Sequence, residues 1–180
     1  MNSKKIKLIL IITPLLVLFS YFFTALYSFH QFHKGIYYND KKLIKDYVEW
    51  DELRENFKNY INIQLLKETQ KSDDLKDLGE FGILLSGLAS KFVESMVDSY
   101  LNPEGLSMLI EKSEKKDEIP KPTFLTLIGG FTIMDFNSLS SFYVTYENEG
   151  QELPIFFNRK GLTWKITQIE FPGDLLENLR

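Results

Sequence analysis

Between Lys7 and His30 the chain runs for 22 residues, Leu8 to Phe29, without a single charge. As an α-helix rising about 1.5 Å per residue, such a run reaches about 33 Å, enough to cross the hydrocarbon core of a bilayer. A cleaved signal peptide and a lasting anchor are the competing readings. A signal peptide has an apolar region of roughly 7–15 residues that ends in small side chains at a cleavage site. Here the run is longer, and its exit, Thr24 to His30, offers only Ala25 and Ser28 as small residues. The expectation is an uncleaved anchor. Pro14 does not argue against it, because membrane helices tolerate proline.

Lys4, Lys5 and Lys7 precede the run, and no acidic residue occurs before Asp40. Basic flanks stay on the cytoplasmic side, so the remainder of the chain is expected on the other face. The resulting division is a cytoplasmic flank at 1–7, a transmembrane anchor at 8–29, one extracytoplasmic domain at 30–172 and a tail at 173–180. All 25 acidic residues follow the anchor, so the domain is more acidic than the formal charge of −4 for the whole chain. Such a surface repels nucleic acid and anionic lipid headgroups, which argues against both as partners. There is no cysteine, hence neither a disulfide staple nor a thiolate ligand. The extramembrane length suits one domain that buries a core unaided.

Along that domain, Phe29, Phe32, Ile36, Leu43, Ile44 and Tyr47 describe a helical face with a break near Tyr38-Asn39-Asp40. A second helix is predicted over 50–68, and Lys71 to Asp77 reads as a polar loop. A third, over 80–101, aligns Leu84, Leu88, Phe92, Met96 and Tyr100; its uncharged stretch is too short to span a membrane, so it is predicted to be a buried core helix. Asn102-Pro103 is an N-cap followed by proline in the first turn of a short helix. The charged stretch 112–122 reads as a surface loop. After Pro122 the pattern changes from helical to alternating, with a strand expected over Phe131 to Phe136: Phe142, Val144 and Tyr146 follow, then Leu153, Ile155 and Phe157, then Leu162, Trp164 and Ile166. The phase then slips to Ile169 and Phe171, which predicts a β-bulge near Thr167-Gln168. Helices first and antiparallel strands last give an α+β fold: three to four helices packed on a C-terminal sheet of three to four strands.

Three ordered stretches carry a family resemblance: Val48-Glu-Trp-Asp-Glu-Leu-Arg-Glu-Asn-Phe-Lys58, Val97-Asp-Ser-Tyr-Leu-Asn-Pro-Glu-Gly-Leu106 and Phe157-Asn-Arg-Lys-Gly-Leu-Thr-Trp-Lys-Ile-Thr-Gln-Ile-Glu-Phe-Pro172. Together they resemble the bacterial DUF2939 family over about Ser28 to Pro172. The resemblance implies an N-terminal apolar segment and one small domain in the bacterial inner membrane, and it assigns no activity. The chain departs from the family at Glu49 and Trp50, where an Asp-Phe pair is typical; Glu caps a helix less well than Asp, which predicts a looser start to the second helix. Leu43-Ile-Lys-Asp-Tyr47 and Gly161-Leu-Thr-Trp-Lys-Ile166 are also similar to NTF2-like domains, whose helices and curved sheet enclose a cone, and this likeness implies fold alone.

Candidate chemistry is sparse. His30 and His33 stand at the membrane exit, where interfacial histidines outweigh a metal site that would lack further ligands. No metal, cofactor or catalytic residue is therefore assigned. Asp98 matches an acidic position of the family motif and would act as a base only inside a hollow that raised its pKa. Arg54 invites a ligand-binding reading but fits a helix-face ion pair with its acidic neighbours. Phe156, out of phase with Ile155 and Phe157, would leave an apolar patch on the far sheet face. The expected function is non-enzymatic: a tethered envelope domain that binds a partner protein or a small apolar ligand. The alternative is an NTF2-like enzyme with carboxylate or tyrosine acid–base chemistry in its cone.

Overall fold

In a computed structural model, residues 3–71, 80–113, 119–148 and 151–170 are described. Residues 1–2, the predicted loop after Lys71, the middle of the 112–122 loop, residues 149–150 and all residues after Glu170, including Phe171 and the tail, lie outside them. The architecture is α+β, with helices first and a four-stranded antiparallel sheet last. Helix α1 spans Ser3–Tyr38, α2 Lys41–Asp46, α3 Trp50–Lys71, α4 Glu80–Tyr100, α5 Pro103–Lys112 and α6 Phe124–Gly129. A 3-10 turn, Gly130–Thr132, leads into strands β1 Met134–Ser138, β2 Ser141–Asn148, β3 Gln151–Lys160 and β4 Thr163–Ile169, paired in the order β1-β2-β3-β4.

The apolar run and the first domain helix are one uninterrupted helix of 36 residues that continues through Pro14. It ends where the sequence breaks: Asn39 takes the left-handed conformation with φ 52°, and the Asp40 N–H bonds back to the Gly35 carbonyl at 2.9 Å. The Asp40 carboxylate then accepts from the Lys42 and Leu43 N–H groups at 2.9 and 3.2 Å, capping α2. Gly35 lets α2 fold back this closely, since a Cβ there would stand 3.1 Å from Leu43 Cβ.

The loose start expected for α3 is not seen. Val48 forms a parallel bridge with Ile166, and the Glu49 N–H donates to the Ile166 carbonyl at 2.8 Å. Backbone pairing to β4 thus fixes the chain where a side-chain cap is weak. Asn102 caps α5 as its Asn-Pro signal predicts, accepting from the Gly105 N–H at 2.8 Å.

One face of the sheet carries the core. Phe142 pairs with Phe157, Val144 with Ile155, and Phe157 with Ile166. Phe142 and Phe157 stack at 4.7 Å between centroids, and both are buried with Trp164. The predicted bulge is present. Phe156 faces Gln168 while Phe157 faces Ile166, so Thr167 is the extra residue. Its burial is satisfied: the Thr167 hydroxyl accepts from Asn158 and its carbonyl from Asn56 on α3, each at 2.9 Å.

Helices α1 and α3 cover this face, and the core reaches back into the apolar run. Ala25 and Leu26 belong to the same buried cluster as Trp164. The buried Ser28 hydroxyl accepts the Trp164 backbone N–H at 3.1 Å, while the indole N–H donates to Thr24 at 3.0 Å.

Four expectations are corrected. The strand pattern expected after Pro122 starts later: Thr123 and Thr126 cap each other to open helix α6, Gly130–Thr132 is a 3-10 turn, and the first strand begins at Met134 rather than Phe131. Helix α4 is not a buried core helix: Leu88, Phe92, Met96 and Tyr100 are exposed. With α1 and α3 already on the sheet, α4 lies in an outer layer against α3 and α5, holding α3 through contacts such as Ser90 Oγ to Asn62 at 2.6 Å. Leu162 does not share the inward face of Trp164, because it sits in the Gly161-Leu162 turn beyond the sheet. Tyr146, also expected inward, is exposed near the far end of β2.

Candidate functional site

Two surfaces stand out, and both are apolar. The first is the N-terminal stretch of α1. Every residue from Leu8 to Ser20 is exposed, and Tyr21 begins the contacts with the sheet. Helix α1 is long and apolar enough to cross a membrane. The second is the outward stripe of α4, where Leu88, Phe92, Met96 and Tyr100 recur every four residues and are 58, 67, 45 and 58 % exposed. Residues four apart share a helix face, so these side chains form one continuous ridge.

The residues singled out from sequence lie apart from one another. Asp98 is on the polar side of α4, its carboxylate 2.7 Å from Lys58 Nζ and 3.9 Å from Arg54 Nε, with 56 % of its side chain exposed. Arg54 also bonds Asp51 and donates to the Leu101 carbonyl at 3.3 Å. These ties join α3 to the C-terminal end of α4. They form an ion-pair network between helices rather than a hollow containing a lone carboxylate. Phe156 lies elsewhere, on the face of the sheet away from the helices, its ring 5.4 Å from that of Tyr143.

His30 and His33 remain neighbours on α1, their rings 6.5 Å apart and edge-on. Among the described residues no group of three or more His, Asp or Glu side chains is placed to hold a metal ion.

Sequence reasoning missed a shallow cleft between α1, α2 and β4, lined by Tyr27, Lys34, Lys42, Lys45, Tyr47 and Lys165 among others. Its lysines are scattered along the chain, and the Asn39 reversal brings α1 and α2 together. Lys165 is engaged by Glu49 at 3.2 Å. Burial, more than the nearby Tyr27 and Asp46, raises the Tyr47 phenol above its ordinary pKa, so it stays a neutral hydrogen-bonding group.

A family profile described as "Protein of unknown function (DUF2939)" matches residues 15–109. The chain belongs to the DUF2939 family. The matched stretch runs from within α1 to α5, so the DUF2939 profile takes in the lower half of the apolar run, the Asn39 reversal and the helix-joining network of Arg54, Lys58 and Asp98. The sheet lies outside it. No curated protein and no solved structure matches this chain.

Proposed function

We propose that this DUF2939 protein is a single-pass tethered binding module rather than an enzyme. Its basic N-terminus lies in the cytoplasm of a bacterium and its α+β domain on the periplasmic or extracellular side. The tether is the exposed stretch Leu8–Ser20, the domain begins at Tyr21, and an envelope protein docks on the α4 ridge. The observation that carries this reading is the pair of exposed apolar surfaces on separate elements, one on α1 and one on α4. An apolar helix half exposed along its whole length favours lipid, whereas a ridge rimmed by charges such as Lys91, Glu94 and Asp98 favours a protein groove that takes an amphipathic helix. A small apolar ligand has less behind it, because the recess beside Phe22 and Phe136 is shallow and formed by few side chains.

The NTF2-like enzyme alternative draws no support from Asp98, which is solvent-facing and paired with Lys58. Photo-crosslinking from Phe92 in intact membranes tests the docking surface. One discrete adduct is expected, abolished by Met96→Asp. Adducts that are absent, or unchanged by Met96→Asp, defeat it. An alkaline phosphatase fusion at the C-terminus tests the sidedness and should be active.

A further inference from the structure

The length of free helix sets a constraint on how the domain sits. Leu8 to Ser20 is thirteen residues, about 20 Å of helix, against about 30 Å of hydrocarbon. From Tyr21 onward α1 is occupied by the domain, its ring 5.6 Å from Trp164 and beneath the Arg159 guanidinium at 4.6 Å. About 10 Å of membrane is thus left for the end of the domain itself to meet.

That end is built for it. The strand register puts two hairpin tips there: Ser138 pairs with Ser141 to close β1–β2, and Lys160 pairs with Thr163 to close β3–β4. The tips are side by side, since the Arg159 N–H donates to the Ser140 carbonyl at 2.8 Å. Leu139 lines a recess with Tyr21 and Phe22, which places the tips where α1 leaves the domain. Each tip presents a leucine, Leu139 at 78 % and Leu162 at 81 % exposure. Nothing in hairpin geometry calls for leucine at such positions, where polar turn residues prevail. Arg159 and Lys160 adjoin them, with Lys160 paired to Glu52 at 2.5 Å. Tyr21, Phe22 and Phe23 supply aromatic side chains at the same level, the composition of a membrane–water boundary.

We infer that the domain is seated on the bilayer, with Leu139 and Leu162 sunk into the boundary between headgroups and acyl chains. This deepens the tether reading and rests on it. Interfacial apolar faces sink about 5–10 Å, which matches the shortfall in helix length. Because α1 passes into the core without a break, the domain has no linker on which to drift away, and its orientation is fixed by the helix.

The absence of native cysteine makes single-site labelling clean. Full-length Leu139→Cys, Leu162→Cys, Val17→Cys and Leu109→Cys proteins, each carrying an environment-sensitive dye, are reconstituted in phosphatidylcholine–phosphatidylglycerol vesicles. Leu109 is on α5, which meets the far end of α1 through Glu111 and Asn39 at 3.1 Å. Acyl-chain spin-labelled lipids are expected to quench the dyes at 17, 139 and 162 and to spare the one at 109. Dyes at 139 and 162 that behave like the one at 109, while 17 is quenched, overturn the seating and leave the tether standing. An unquenched dye at 17 removes the tether, and the seating falls with it.

Discussion

The two parts of the uncharged run in α1 are alike in lacking charge and opposite in surroundings. Leu8–Ser20 is exposed throughout, whereas from Tyr21 onward the helix forms part of the core that holds Trp164, Phe142 and Phe157. What separates them is the pattern of small and hydroxyl-bearing residues. Thr24, Ala25 and Ser28 lie on one side of the helix, where a sheet can approach and where two hydroxyls receive the N–H groups of Trp164. In the upper half Thr13 and Ser20 share a face, but Leu16 and Val17 stand between them where the lower half has alanine. Apolarity is common to both parts, and fine structure decided which of them the sheet buried.

Three tests probe that contrast, beginning with the largest effect. Trp164 is fully buried and bridges the sheet to α1. Trp164→Ala should cost about 3–5 kcal/mol, seen as a fall in the unfolding midpoint of detergent-solubilised protein. A loss below about 1 kcal/mol would mean that α1 is not integral to the core. Next, Ala25→Leu should cost about 1–3 kcal/mol by overfilling a fully buried position, while Val17→Leu leaves domain stability unchanged. Equal effects would erase the distinction between the halves. Ser28→Ala leaves the buried Trp164 N–H without its acceptor, for about 1–3 kcal/mol. Its counterpart, Ser20→Ala, removes only a bond to the Val17 carbonyl of its own helix and should leave the unfolding midpoint in place.

Much of the fold was legible in local chemistry. The break at Asn39-Asp40, the Asn102-Pro103 cap and the phase slip at Thr167 each follow from a residue whose preference is satisfied within a few positions, and all three are where the sequence puts them. Leu162 misled because alternation continues in the sequence after the strand has become a turn. Helix α4 misled for a different reason. Its periodicity reports an apolar face but carries no information about what covers it, and the sheet had room for α1 and α3 only. The site was less legible still. Arg54 and Asp98 are 44 positions apart, and neither the contact that Arg54 and Lys58 both make with Asp98 nor the grouping of Leu139 with Tyr21 has a local signature.

By itself, the order of residues determined that a long apolar helix comes first, that an acidic α+β domain follows it, and where the turns, caps and bulge fall. These are matters of backbone preference and solvation along a few consecutive residues. Only the tertiary structure decided where along α1 the core begins, which apolar helix face stays open, and that two hairpin leucines flank the exit of α1. Those outcomes depend on competition among distant segments for the same buried area, and the winner is set by packing in three dimensions.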